Sequence, residues 1–230
     1  MEITLKPKKT TGILSIIVFL LTFAHIAGQF STYYLGYDNI FGIIPMFNLN
    51  SEENIPAFFS TLLLLLSSIL LAIIAYAAKK SNAPYFYHWL GLSLIFLFLS
   101  MDESLSFHES MTVPLRKGLN TSGILFYAWV IPYSIALLIL ILLYLKFFIR
   151  LPAKTRNLFI IAAVVYLVGV IGIELMGGRI DEQIGRHNAT YAVYSTIEEV
   201  LEMGGIVVFI YALMSYISTE FNDLRFRISS

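Results

Sequence analysis

Long apolar stretches alternate with short polar ones along this chain, and the length of the apolar stretches decides what they are. A hydrocarbon core about 30 Å thick takes roughly 20 helical residues to cross. Six stretches reach that length, at 12–33, 56–78, 85–107, 123–147, 157–176 and 194–217. They predict an all-α polytopic membrane protein, a six-helix bundle forming a single transmembrane domain over 1–230, because only helices or closed barrels satisfy backbone polar groups in lipid. The segments between them are too short to fold separately.

Composition agrees. Hydrophobic residues make up 58% of the chain and charged residues 13%, against about 25% charged in a soluble domain. The chain has no cysteine, which excludes disulfides and thiolate chemistry and leaves oxygen and imidazole as the available metal ligands.

The formal net charge is zero, yet its placement is uneven. Lys6, Lys8, Lys9, Lys79, Lys80, Lys146, Arg150, Lys154, Arg156, Arg225 and Arg227 share the side of both termini, eleven of the fifteen basic residues. The positive-inside rule makes that side cytoplasmic. The first stretch is longer than a signal-peptide core and has no clean cleavage site near Ala27, so it reads as a retained span. Only Arg116, Lys117, Arg179 and Arg186 face outward, whereas twelve of fifteen acidic residues do.

Those acids concentrate at span ends. Asp102, Glu103, His108 and Glu109 close the third span, Glu174 lies near the end of the fifth, and Glu198, Glu199 and Glu202 open the sixth. Carboxylates in a span are costly unless they face a cavity, a partner or a metal, so acids from three spans at one depth predict one shared site. At about 100° per residue, Asp102 and Glu109 share a helix face and His108 points away, joining Asp102 only if the helix loosens after Ser104. Glu198 and Glu202 are one turn apart and repel unless a cation, a shared proton or the helix dipole relieves them. Gly204 and Gly205 favour close helix approach. Gly177 and Gly178 read as a break, after which Arg179, Asp181, Glu182, Arg186 and His187 form a loop able to cover the site.

Carboxylates with one imidazole suit a divalent metal, whether iron, manganese, zinc or calcium. The candidate ligands are Asp102, Glu103, His108, Glu109, Glu174, Glu198, Glu199 and Glu202, with Glu199 and Glu202 foremost. No Glu-x-x-His pair of the kind di-iron bundles use occurs; Glu199 and Glu202 form Glu-x-x-Glu instead. The plainer alternative pairs these acids with Arg116, Lys117, Arg179 and Arg186 at the membrane surface. His25 reads as a histidine bonded to a neighbour, Trp89, Tyr85, Tyr87, Tyr33 and Tyr34 as interfacial anchors.

Phosphate loops, zinc-protease motifs and nucleophile elbows are absent from the sequence, as is any basic patch for nucleic acid. Three functions remain: a metal-dependent membrane enzyme whose lipid-soluble substrate enters sideways, a proton or cation transporter using the same acids, or an accessory subunit whose acidic face meets a membrane protein partner. Transport needs a polar path onward, for which the inner halves offer little besides Ser67, Ser68, Ser93 and Ser215.

At "MDESLSFHE", "NIPAFFSTLLLL", "IELMGG" and "TIEEVLEMGGIVVFIYAL" the chain resembles an uncharacterised family of bacterial multi-pass membrane proteins with the pattern Asp-Glu-x4-His-Glu, then Glu, then Glu-Glu-x2-Glu-Met. The match falls on Asp102, Glu103, His108, Glu109, Glu174, Glu198, Glu199, Glu202 and Met203. The resemblance implies a bacterial origin and no particular reaction; with the Lys and Arg asymmetry it predicts an inner membrane with the acidic site on the periplasmic side.

Overall fold

Caps and prolines set where the apolar stretches become helices. In a computed structural model, which describes residues 6–221, Pro7 opens α1 (Pro7–Phe30) and Asn54 caps α3 (Ile55–Lys80) by accepting from the Ala57 amide at 3.1 Å. Asn188 caps α9 (Ala189–Glu220) through the Tyr191 amide at 2.9 Å. Each satisfies a donor that a helix start leaves orphaned. Between them lie the short α2 (Ile43–Met46), α4 (Phe86–Leu105), α5 (Phe107–Leu119), α6 (Val130–Ile149), α7 (Ala153–Leu167) and α8 (Glu174–Ile184). Arg225 and Arg227 fall outside the described residues.

The described residues form helices joined by turns and loops, with no strand. Five helical stretches are long and apolar enough to cross a membrane: α1 with its π-helical end, α3, α6, α7 continued through a π-helical turn (Val168–Ile173) into α8, and α9. The count becomes six if α4 and α5, bent by 78° at their junction, are one span. The predicted break at Gly177 and Gly178 does not occur. Both glycines are buried within α8, and a Cβ on Gly178 would stand 3.0 Å from the Tyr127 ring. They serve as a packing seat, and Arg179, Asp181 and Glu182 are consequently helical rather than part of a loop.

α9 is the axis of the bundle, packing against α1, α3, α7 and α8. Met203, Ile210 and Leu213 of α9 meet Leu63, Leu71 and Ile74 of α3 in a fully buried core. Gly205 brings α7 closest, whereas Gly204 faces open space, so only one of the predicted pair serves helix approach. α3 and α4 are joined by reciprocal bonds in which Ser68 Oγ donates to the Ser93 carbonyl at 2.8 Å and Ser93 Oγ to the Ser68 carbonyl at 2.9 Å. Trp89, predicted as an interfacial anchor, is instead buried among Phe147, Phe159 and Tyr216. Tyr34 and Tyr87 are exposed as anchors would be.

α6 is the exception to this packing. Within its membrane-length window 11% of residues are buried, against 50% for α9, and the two buried residues, Val130 and Phe147, sit near its ends. Its middle stands away from the other helices.

His25 is a structural pin. It is 1% exposed, its Nδ1 accepts from the Leu49 amide at 3.0 Å and its Nε2 lies 2.9 Å from Thr196 Oγ1. Accepting at Nδ1 places the proton on Nε2, which therefore donates to Thr196. One ring thus ties α1 to α9 and to the loop preceding α3. His25→Ala strands the Leu49 amide and leaves a hole, a loss of about 2–4 kcal/mol. The expected result is a lower melting temperature in detergent and faster amide exchange at Leu49.

Candidate functional site

α4 ends because Ser106 takes a left-handed conformation, φ 51° and ψ 41°, uncommon for a residue with a side chain. Two groups stabilise the turn. The Asp102 carboxylate accepts from the His108 amide at 3.0 Å, an unpaired donor in the first turn of α5, and its other oxygen lies 3.0 Å from His108 Nδ1. The condition under which His108 could reach Asp102 is met, by a sharp break rather than a gradual loosening. The same break takes Glu109 onto α5, so the shared helix face expected for Asp102 and Glu109 does not exist.

Tyr133 of α6 also donates to Asp102, at 2.9 Å, and Trp129 Nε1 donates to Glu174 Oε1 at 2.9 Å. The His108 ring rests against Trp129 with centroids 4.8 Å apart. Asp102 therefore accepts three hydrogen bonds, and its role is to hold His108 and Tyr133. With Nδ1 engaged, Nε2 is the nitrogen of His108 left for a ligand or a proton.

These groups border a cavity of about 670 Å³ whose polar end is lined by Glu52, Asp102, Glu103, His108, Glu109, Glu174, Glu198, Glu199 and Glu202. The structure thus gathers every candidate from the sequence into one chamber. Glu174 and Glu198 line the chamber as neighbours. Glu103, Glu199 and Glu202 are half-buried on the cavity wall and neighbour further acids; among the described residues they form no hydrogen bond. Nor are Glu198, Glu199 and Glu202 in the opening turns of their helix. α9 begins at Ala189, so the helix dipole, which fades within the first turn, does little for them.

Of the outward cations Arg186 lines the same cavity, and one cation does not balance the acids there. Arg186 pairs with Asp181 at 2.9 Å and Arg116 lies over the Phe126 ring. Among the described residues no ion pair joins Arg116, Lys117, Arg179 or Arg186 to the chamber glutamates. No three His, Asp or Glu side chains among the described residues stand together as a ready metal-ligand group. A smaller cavity of about 190 Å³, bordered by Arg116 and Asp181, adjoins the chamber and shares Glu109, Trp129, Glu174, Arg186 and Tyr191 with it.

Glu52 was not among the sequence candidates. It lies in a loop fastened through Leu49 to His25 and through Asn48 to Gln29, and one of its oxygens is buried without a hydrogen-bond partner. Its only signal is its place beside the α3 cap, two residues before Asn54. Trp129 and Tyr133, four residues apart at helical spacing, were likewise unread. Burial pushes the Glu52 carboxyl above the ordinary range and Glu109 adds to this, while His108 and Ser106 act against it. A carboxyl raised on folding favours the native state at low pH, and that contribution is lost as pH rises from the unfolded value through the folded one. Glu52→Gln should therefore melt higher than the parent in cation-free detergent at pH 8, with the difference shrinking toward pH 4.

A family model described as a domain of unknown function, DUF8692, matches residues 13–217. The chain belongs to this DUF8692 family. The DUF8692 match runs from α1 into α9 and includes every chamber residue named above. No curated protein and no solved structure matches the chain.

Proposed function

We propose that this membrane protein binds a positively charged ligand in its acidic chamber, with both termini cytoplasmic and the chamber opening toward the periplasmic face of a bacterial inner membrane. The observation that carries the reading is the trio Glu103, Glu199 and Glu202, half-buried on the cavity wall beside other carboxylates and without a hydrogen bond or ion pair among the described residues. The acids on this lining outnumber His108 and Arg186, and an excess of one charge in a partly enclosed site calls for a counter-charge. The orientation rests on the Lys and Arg asymmetry.

Two ligands share this chemistry, a protonated amine and a divalent metal. That the described residues form no ready metal-ligand group favours the amine. The Asp102–His108 contact favours the metal, since a carboxylate on Nδ1 is how ligating imidazoles are oriented. Glu199, Glu202, Glu103 and His108 Nε2 would have to draw together to hold such an ion, and its chemistry there would be activation of water or oxygen for a lipid-soluble substrate. Transport is less well supported because Ser68 and Ser93 are taken up in joining α3 to α4, and Ser67 bonds to the Leu63 carbonyl.

The test combines elemental analysis of detergent-purified protein with titrations of Mn²⁺ and butylammonium, beside a Glu199→Gln, Glu202→Gln variant. Near-stoichiometric metal that the folded variant loses supports the metal arm. Saturable butylammonium binding that the variant loses supports the amine arm. Neither ligand binding to the native protein overturns the cation reading.

A further inference from the structure

The chamber is only one end of the larger cavity. The rest runs as a crevice between the loosely packed α6 and the pair α4 and α7, walled by Phe98, Leu99, Ala136, Leu140, Leu167 and Ile171. These walls offer no charge, and Phe98 and Ala136 are exposed on helices of membrane-spanning character. From Pro132 to Leu143, the lining residues of α6 cover about 16 Å at about 1.5 Å per residue. That is close to half of a hydrocarbon core about 30 Å thick, the depth of one leaflet. The full cavity, about 670 Å³, falls within the range of about 300–1,000 Å³ typical of small-molecule sites.

We infer that the crevice and chamber together hold a membrane amphiphile, its apolar chain between α4 and α6 and a protonated amine head among Glu103, Glu199 and Glu202. The inference rests on the cation reading and names the class of molecule that carries the charge. A free ion has no use for an apolar groove one leaflet long, and an uncharged lipid has none for a chamber of unpartnered carboxylates. A phosphate or carboxylate head placed among Glu103, Glu199 and Glu202 is disfavoured by like charge, and Arg186, the cation on the lining, is already paired with Asp181. Sideways access fits the packing of α6, whose anchored residues Val130 and Phe147 leave its middle free to yield.

The experiment uses a hexadecylamine carrying a diazirine on its chain, photolysed with the full-length protein in nanodiscs, and maps the adducts by mass spectrometry. Adducts are expected at Phe98, Leu99, Ala136 and Leu140. Unlabelled hexadecylamine should compete about tenfold better than palmitate or butylammonium. Ala136→Phe, at a lipid-exposed position where a larger side chain can fold, should cut labelling about fivefold or more while leaving Mn²⁺ or butylammonium binding in the chamber as in the parent. Labelling spread evenly over the lipid-facing residues of α1 and α6, or indifferent to Ala136→Phe, overturns the tail assignment. If the chamber still binds Mn²⁺ or butylammonium, that result leaves the cation reading standing. Loss of chamber binding in the native protein overturns both.

Discussion

Replacing Glu199 and Glu202 together by glutamine will weaken binding of the chamber's cation by about 30-fold or more and, in the absence of any cation, raise the melting temperature. The two effects have opposite signs for one reason. Glu199 and Glu202 face each other and Glu103 inside the protein, and among the described residues none of the three has a hydrogen-bond partner. An amide keeps the shape, removes the mutual repulsion and is cheaper to enclose. When a cation is present the same carboxylates become its partners, and truncating one side of a buried charge pair costs about 2–5 kcal/mol, roughly 30-fold to several-thousand-fold in affinity. Titration calorimetry for binding and a thermal melt in chelator for stability read the two separately. A variant that binds as the parent does, and melts lower without cation, would show these glutamates to be structural.

Gly205→Leu should be the most disruptive single change near the chamber, and Gly204→Ala, one residue away, should be tolerated. A Cβ on Gly205 would lie 2.8 Å from both the Cβ and the backbone nitrogen of Tyr166 and 3.0 Å from the Ala162 carbonyl. Backbone cannot step aside as a side-chain tip can, so α7 and α9 must separate, a cost of about 3 kcal/mol or more. The effect extends beyond stability. Gly169, just past the end of α7, is pressed against the Glu198 carbonyl and the Glu202 side chain, and the chain then continues to Glu174. Moving α7 therefore displaces one wall of the chamber. Gly204 has nothing within 4 Å, so alanine there gains helix propensity, about 0.5–1 kcal/mol. Yield of folded protein by size-exclusion chromatography, with the melting temperature, checks the pair; equal behaviour of the two variants would remove close packing as the explanation.

Much of this site was legible in the sequence because the cost of burying charge is a local quantity. Acids placed in apolar stretches are expensive wherever the helices go, so Asp102, Glu103, Glu174, Glu198, Glu199 and Glu202 mark themselves as residues that must face one another or a ligand. Span length and the lack of cysteine are equally local, and they account for the all-helical fold and the absence of thiolate chemistry. The placement of acids at the ends of the third, fifth and sixth apolar stretches predicted one shared site, and those acids line one cavity.

What only the tertiary structure decided concerns direction and partnership. A single left-handed residue, Ser106, turns α5 by 78° and brings His108 onto Asp102, and no periodicity in the sequence marks it, because its stabilisation comes from a carboxylate four residues earlier. Glu52 reaches the chamber through a loop held by a buried histidine on another helix, and Trp129 and Tyr133 become chamber residues through contacts 45 and 31 positions distant in sequence. The standoff of α6 is likewise invisible to hydropathy, since a helix facing lipid and a helix facing a crevice present the same apolar surface. Sequence sets which groups are costly to leave alone; which neighbours relieve that cost is settled when the helices pack.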